Sequence, residues 1–293
     1  MRKTRKVWIG IGAFVMAGTG AAPMAGASNA KITQPFRPEF TADSTAQRLP
    51  SGSFMVAQHA GHDDAAAGGE EGGEMGVAAL PPNVAFSVRI ALMRGHLFVG
   101  NELVEQTQWN AALPHFLHPS EEIYDDLKEQ LPDYKVAPFE DRLDKLADVV
   151  KAKKGGADYA KARADVDAAL SSAEAAIKQR RGNDWASFSV ETAVELLRVA
   201  GGEYGAAIEN GRIAKPVEYQ DARGFILTAE KMIEAVAPEL EKKDSAALAR
   251  VRAGFVDLKK AFPQVMPPKA PVTDAAGLLA DISKVELASG RLM

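Results

Sequence analysis

"GGEYGAAIENGRIAKPVEYQDARGF", residues 201–225, decides how this chain folds. Glu-Tyr occurs at Glu203-Tyr204 and again at Glu218-Tyr219, on either side of Asn210-Gly211. Apolar residues keep helical spacing from about Asp184 to Asn210, and Asn210-Gly211 supplies a C-terminal stop. Pro216 then fits the first position of a second helix that reaches about Leu240. In such a hairpin each glutamate stands at the same height, about 10 Å from the bend at 1.5 Å rise per residue. Carboxylates facing each other across two helices are a usual way for a helical bundle to build a hard-cation site. Glu203, Glu218 and the nearby Asp221 are therefore candidate oxygen ligands, with Tyr204 and Tyr219 beside them. The same spacing also allows the tyrosines to pack in the core while the glutamates face water.

Outward from this hairpin the chain stays helical. "VAFSVRIALMRGHLFVGNELVEQ" repeats apolar positions at helical spacing from Val84 to Val104, and "WNAALPHFLH" makes a short second helix. Gly95, Leu103, Trp109, Ala112 and Phe116 fall roughly where a tetratricopeptide unit places its packing residues, although no second copy follows at that period. Two amphipathic helices, around "FEDRLDKLADVVKAKK" and "YAKARADVDAALSSAEAAIKQRR", are separated by Gly155-Gly156, giving a possible sub-boundary near residues 154–157. Two more helices follow near 244–262 and 273–289. Alternating Val/Ile/Thr runs bounded by hairpin turns are missing. The expected fold is all-α: a helical bundle of antiparallel hairpins over residues 81–293, the first hairpin tetratricopeptide-like.

The N-terminus reads differently. Arg2, Lys3, Arg5 and Lys6 precede the apolar run "VWIGIGAFVMAGTGAA", which leads to small residues at Ala25 and Ala27. A basic start, a short apolar core and small residues at the end mark a secretory signal peptide over 1–27. The run is Gly- and Ala-rich and shorter than the roughly 20 apolar residues of a bilayer span, so the protein is expected to be exported to the periplasm and not to span the membrane. Residues 28–80 are rich in Ala, Gly, Ser, Pro and Gln without sustained periodicity, so a disordered linker is expected there. Within it, "HAGHDDAAAGGEEGGEM" (residues 59–75) is either solvated linker or a loose metal-gathering tether.

Charge and composition then exclude function classes. Of 35 basic and 39 acidic residues, residues 1–27 hold four basic ones and no acid, leaving a formal −8 beyond residue 27. Such a chain is a poor partner for nucleic acid, which is bound through clustered Lys and Arg. It contains no cysteine, which rules out thiolate metal sites, iron–sulfur clusters and covalently attached c-type haem. No nucleophile elbow, His-Glu-x-x-His or phosphate-binding glycine loop occurs, so no enzyme is expected.

Three of the five histidines lie within residues 96–118. His115, His118 and Glu122 would form one stripe on a continuous helix. Pro119 removes a backbone donor and disfavours helical geometry at His118, so a sharp corner is expected instead, with Glu121 and Glu122 opening the next helix. His96 could approach from the antiparallel partner. Imidazole with carboxylate suits iron, zinc, copper or nickel. The alternative has His115 packed at a helix interface and His118 as a solvated cap.

The stretch "LLRVAGGEYGAAIENGRIAKPVEYQDARGFI" resembles a segment of the extracytoplasmic N-terminal domains fused to bacterial high-affinity iron permeases. Glu203, Tyr204, Gly211, Ile213, Glu218, Tyr219 and Asp221 match that pattern, which covers about 30 residues well. The resemblance implies an extracytoplasmic helical domain that serves iron uptake, with a membrane iron permease as partner. It says nothing of His115 and His118. The Arg-Glu-x-x-Glu motifs of the permeases' own transmembrane helices are absent, so this chain does not transport by itself. The Gly-x-His-x-x-Glu motif of imelysin-like proteins is not met either, since Gly95 directly precedes His96 and Glu102 lies six residues on.

The expected function is capture of a transition metal ion, iron first, copper second, zinc possible, for uptake by a permease. Glu203, Glu218 and Asp221 would be hard oxygen ligands, Tyr204 and Tyr219 would orient them or ligate ferric iron, and His96, His115, His118 and Glu122 would form a second site or relay. The competing expectation is a metal-independent helical scaffold that binds a partner protein.

Overall fold

The computed structural model describes residues 74–293. The signal-like segment, most of the expected linker and nearly all of the 59–75 tract lie outside the described residues. The helical part begins with a 3-10 turn, Glu74–Ala79, which buries Val77 and so starts ahead of residue 81.

The long helix α1 (Pro82–Glu105) runs through the middle of the molecule. Its sequence is apolar nearly all round, and residues such as Phe86, Val88, Met93, Val99 and Leu103 are fully enclosed, as expected of a helix covered on every side. It packs against α6 (Gly156–Arg181), α7 (Trp185–Ala207) and α8 (Pro216–Ala235). Helix α5 (Glu140–Lys151) pairs with α6 across the Gly155-Gly156 break. Helices α7, α8, α9 (Ala237–Lys259) and α10 (Ala275–Ser289) pack on one another as the C-terminal bundle. In it α10 lies in a groove opened by small residues: a Cβ on Gly254 would meet Val285 at 2.4 Å, and one on Gly201 would meet Leu279 at 2.7 Å.

Four details differ from the sequence reading. Helix α7 ends at Ala207 rather than Asn210, and two short strands, β1 (Ile208–Glu209) and β2 (Arg212–Ile213), pair antiparallel with Ile208 opposite Ile213. Asn210 and Gly211 both take positive φ (51° and 71°), the conformation of a two-residue type I′ turn. β-branched residues flanking Asn-Gly are the hairpin signal, and here it prevails locally over helix continuation. Helix α8 stops at Ala235, because Val236 leaves helical geometry ahead of Pro238 in the first turn of α9. The expected helix start at 244 is instead a kink in α9, where Asp244 is non-helical and its carboxylate accepts from the Ala247 amide at 2.9 Å.

The largest difference concerns Pro119. Helices α2 (Trp109–Ala112) and α3 (Pro114–His118) are short, and both pack on α1. The sharp corner does not form. His118 and Pro119 both keep helical φ/ψ, and the chain continues through a π-helical turn, Pro119–Ile123, into α4 (Tyr124–Leu127). The wider turn lets the Tyr124 amide reach the Pro119 carbonyl five residues back. The Ser120 hydroxyl donates to the Leu117 carbonyl at 3.1 Å within this turn.

Candidate metal centre

Two glycine contacts bring the site together. At the crossing of α1 and α8, a Cβ on Gly224 would lie 2.4 Å from the Gly95 carbonyl oxygen, and one on Gly95 would lie 2.4 Å from Phe225 Cδ1. Without side chains at these positions the two backbones touch, which sets His96, next to Gly95, against Asp221, one turn before Gly224. Further along α1, a Cβ on Gly100 would come within 2.7 Å of Phe116 and 3.3 Å of the His115 Cβ. That vacancy lets α3 approach and delivers His115 to the same point.

There His96 Nδ1 lies 2.7 Å, and His115 Nδ1 2.8 Å, from the same atom, Asp221 Oδ1. One candidate ligand atom from each of the three residues can be chosen so that all lie within 4.8 Å of one another. All three side chains are buried, with His115 fully enclosed and Asp221 only 3% exposed. Ligand atoms about 2.1 Å from one shared ion lie roughly 3–3.5 Å apart, so these contacts need to open by less than about 1 Å to admit one. Two imidazoles with one carboxylate form the donor set of non-haem iron(II) sites, and zinc accepts the same donors.

Charge and orientation are set by the surroundings. Burial alone would raise the Asp221 carboxyl, but the charges of His96 and His115 and hydrogen bonds from both outweigh it and hold the group well below the usual carboxylate range. The second ring nitrogen of His115, Nε2, lies 2.9 Å from Gln220 Oε1. An amide oxygen only accepts, so Nε2 carries its hydrogen towards Gln220, leaving Nδ1 as the nitrogen that faces Asp221 and could ligate an ion. Gln220 is itself buried, and its Nε2 rests 3.7 Å from Met266 Sδ. Sequence reasoning missed Gln220 as a site residue, and its only signal was its place beside Asp221.

Of the other candidate residues, His118 meets this centre. His118, half-buried, presents its ring edge-on to His96 with centroids 5.3 Å apart, and Glu122 is half-buried in the π-helical turn that follows. Asp221 joins the histidines, while Glu203 and Glu218 lie outside that three-residue group although both are buried. Lys215 Nζ stands 3.5 Å from Glu218 Oε1. The Tyr204 hydroxyl donates to the Thr273 carbonyl at 2.7 Å, and that of Tyr219 to the Gln264 carbonyl at 3.1 Å, so the pair ties down the loop between α9 and α10 around Phe262. Burial raises both phenols, that of Tyr219 to about 12, which keeps them protonated donors at neutral pH.

Helices α7 to α10 also decide what the chain is similar to. Residues 182–293 match the iron permease-associated 4-helix bundle domain. That family is described by its association with iron permeases and not as one of enzymes. No curated protein and no solved structure matches the chain. The matched bundle contains Asp221, Gln220 and both Glu-Tyr pairs, whereas His96, His115 and His118 come from helices before it. Among the described residues no helix is long and apolar enough to cross a membrane.

Proposed function

We propose that this protein captures a transition metal ion, iron first and copper or zinc next, and supports its uptake by a membrane iron permease. The observation that supports it is the convergence of the buried His96 and His115 on Asp221, within a chain whose C-terminal bundle matches a permease-associated domain. The ion is cargo: it replaces the protons between imidazole and carboxylate, and Gln220 orients His115 to receive it. His118 and Glu122, half-buried beside the centre, serve as the relay by which it enters and leaves. The signal-like N-terminus makes the periplasm the site of action. Glu203 and Glu218 are the candidate ligands of a second, oxygen-rich site.

The test is calorimetric titration of the purified protein with iron(II) under anaerobic conditions. About one ion per chain is expected for the triad, and His115→Ala combined with Asp221→Ala should abolish that uptake. Undiminished uptake in the double variant would reject the assignment. A second reading, a metal-independent scaffold for a partner protein, draws on the 2.7 and 2.8 Å contacts, which are also ordinary hydrogen-bond lengths. It expects metal-free protein whose melting temperature ignores added metal.

A further inference from the structure

A cavity of about 410 Å³ opens between α1, α6, α7 and α8, a size that accommodates a small organic molecule. Phe98 and Trp185 contribute aromatic wall, and Arg94, Arg163 and Lys231 contribute three cations against two acids, Asp167 and Glu174. The acids are already engaged: Arg94 reaches Asp167 at 3.0 Å and Glu174 at 2.8 Å. Arg163 stands 3.9 Å from both Glu105 and Asp167. Lys231 has no carboxylate partner among the described residues, and its ammonium rests 3.9 Å from the centre of the Phe98 ring. The lining thus carries one excess positive charge in a chain whose formal net charge is −4.

Thr228 adds a hydroxyl donor to the same lining. Two buried helical hydroxyls return to the carbonyl four residues back, Thr192 to Phe188 at 3.0 Å and Ser189 to Trp185 at 2.8 Å. Thr228 is only 7% exposed and lines the cavity, yet its hydroxyl donates to no atom among the described residues. It sits one helical turn before Lys231 on the same face of α8.

We propose that this cavity binds a small aromatic carboxylate, its carboxylate taken by Lys231 and Thr228 and its ring lying against Phe98 and Trp185. The site is separate from the His96–His115–Asp221 centre and needs no metal. Burial and the neighbouring Arg163 and Arg94 lower the Lys231 ammonium from its ordinary value, the strain that an incoming anion relieves.

The experiment is calorimetric titration of the full chain with 2-naphthoate, with uncharged 2-naphthamide as the control. The carboxylate is expected to bind at least about tenfold more tightly than the amide, the worth of a charge-assisted hydrogen bond. Lys231→Met should bring 2-naphthoate down to the level of the amide, and Thr228→Val should weaken it severalfold, with circular dichroism and melting temperature showing both variants folded. Equal binding of acid and amide, undiminished binding by folded Lys231→Met, or no heat from 2-naphthoate up to about 10 mM would each overturn the proposal.

Discussion

The backbone of Gly224 lies against that of Gly95, so closely that a Cβ on Gly224 would sit 2.4 Å from the Gly95 carbonyl oxygen. Gly224→Ala therefore cannot be absorbed by a flexible side chain and must push α8 away from α1. Alanine gains about 1 kcal/mol of helix propensity over glycine, while overpacking of this kind costs about 1–3 kcal/mol. Net destabilisation by urea unfolding is expected, together with weaker iron(II) binding, since the displaced helices carry Asp221 and His96. A stabilised variant with unchanged affinity would show that the crossing does not set the site.

Asp221→Ala leaves two buried imidazoles facing each other without their carboxylate. Removing one member of a buried charged pair costs about 3–5 kcal/mol. The expected result is a lower melting temperature in the metal-free protein and loss of any further rise on adding iron(II), read by differential scanning calorimetry.

Gln220→Leu is isosteric enough to keep packing but leaves the His115 Nε2 hydrogen without its acceptor. Supporting residues of this kind alter metal affinity by roughly 10–100-fold. A fall of that order in iron(II) affinity, with far-UV circular dichroism unchanged, would distinguish a positioning role from a merely structural one.

Acid should release the ion. Ligating imidazoles must be unprotonated, so affinity is expected to fall as the solution is acidified. Asp221 contributes separately. Its folded pKa is depressed, so its stabilisation is complete above the unfolded value near 3.9 and is lost as pH falls through the folded one. Affinity that stays flat on acidification would argue against histidine ligation.

Tyr204→Phe and Tyr219→Phe separate structure from ligation. Each removes a hydroxyl that holds the α9–α10 loop and is expected to cost about 1 kcal/mol in stability, with iron(II) affinity unchanged. Loss of affinity in either variant would return the phenols to the ligand set.

Much of the fold could be read from periodicity. The α5–α6 pair and the helical character of α1 follow from apolar spacing and from Gly155-Gly156, and α10 follows from its own amphipathic run. The local exceptions were harder. Asn210-Gly211 signals both a helix stop and a type I′ turn, and flanking Ile208 and Ile213 decided for the turn. Pro119 signals a break, yet one widened turn absorbs it, because tertiary packing of Tyr124 and Phe116 holds the segment helical. The site was legible as a set of residue types but not as a grouping. Sequence symmetry assigned Asp221 to Glu203 and Glu218, whereas its actual neighbours depend on where α1 crosses α8, and two glycines far apart in the chain do not announce that they meet.

The His115–Asp221 contact joins positions 106 residues apart, one inside the permease-associated bundle and one before it. An ion seated there would act as a rivet between two stretches of chain that are otherwise held by apolar packing and by the Arg223–Glu102 ion pair. A truncated bundle beginning at residue 182 would keep the aspartate and lose both imidazoles, so the helices ahead of it, rather than the shared bundle, would determine whether this protein can carry its load.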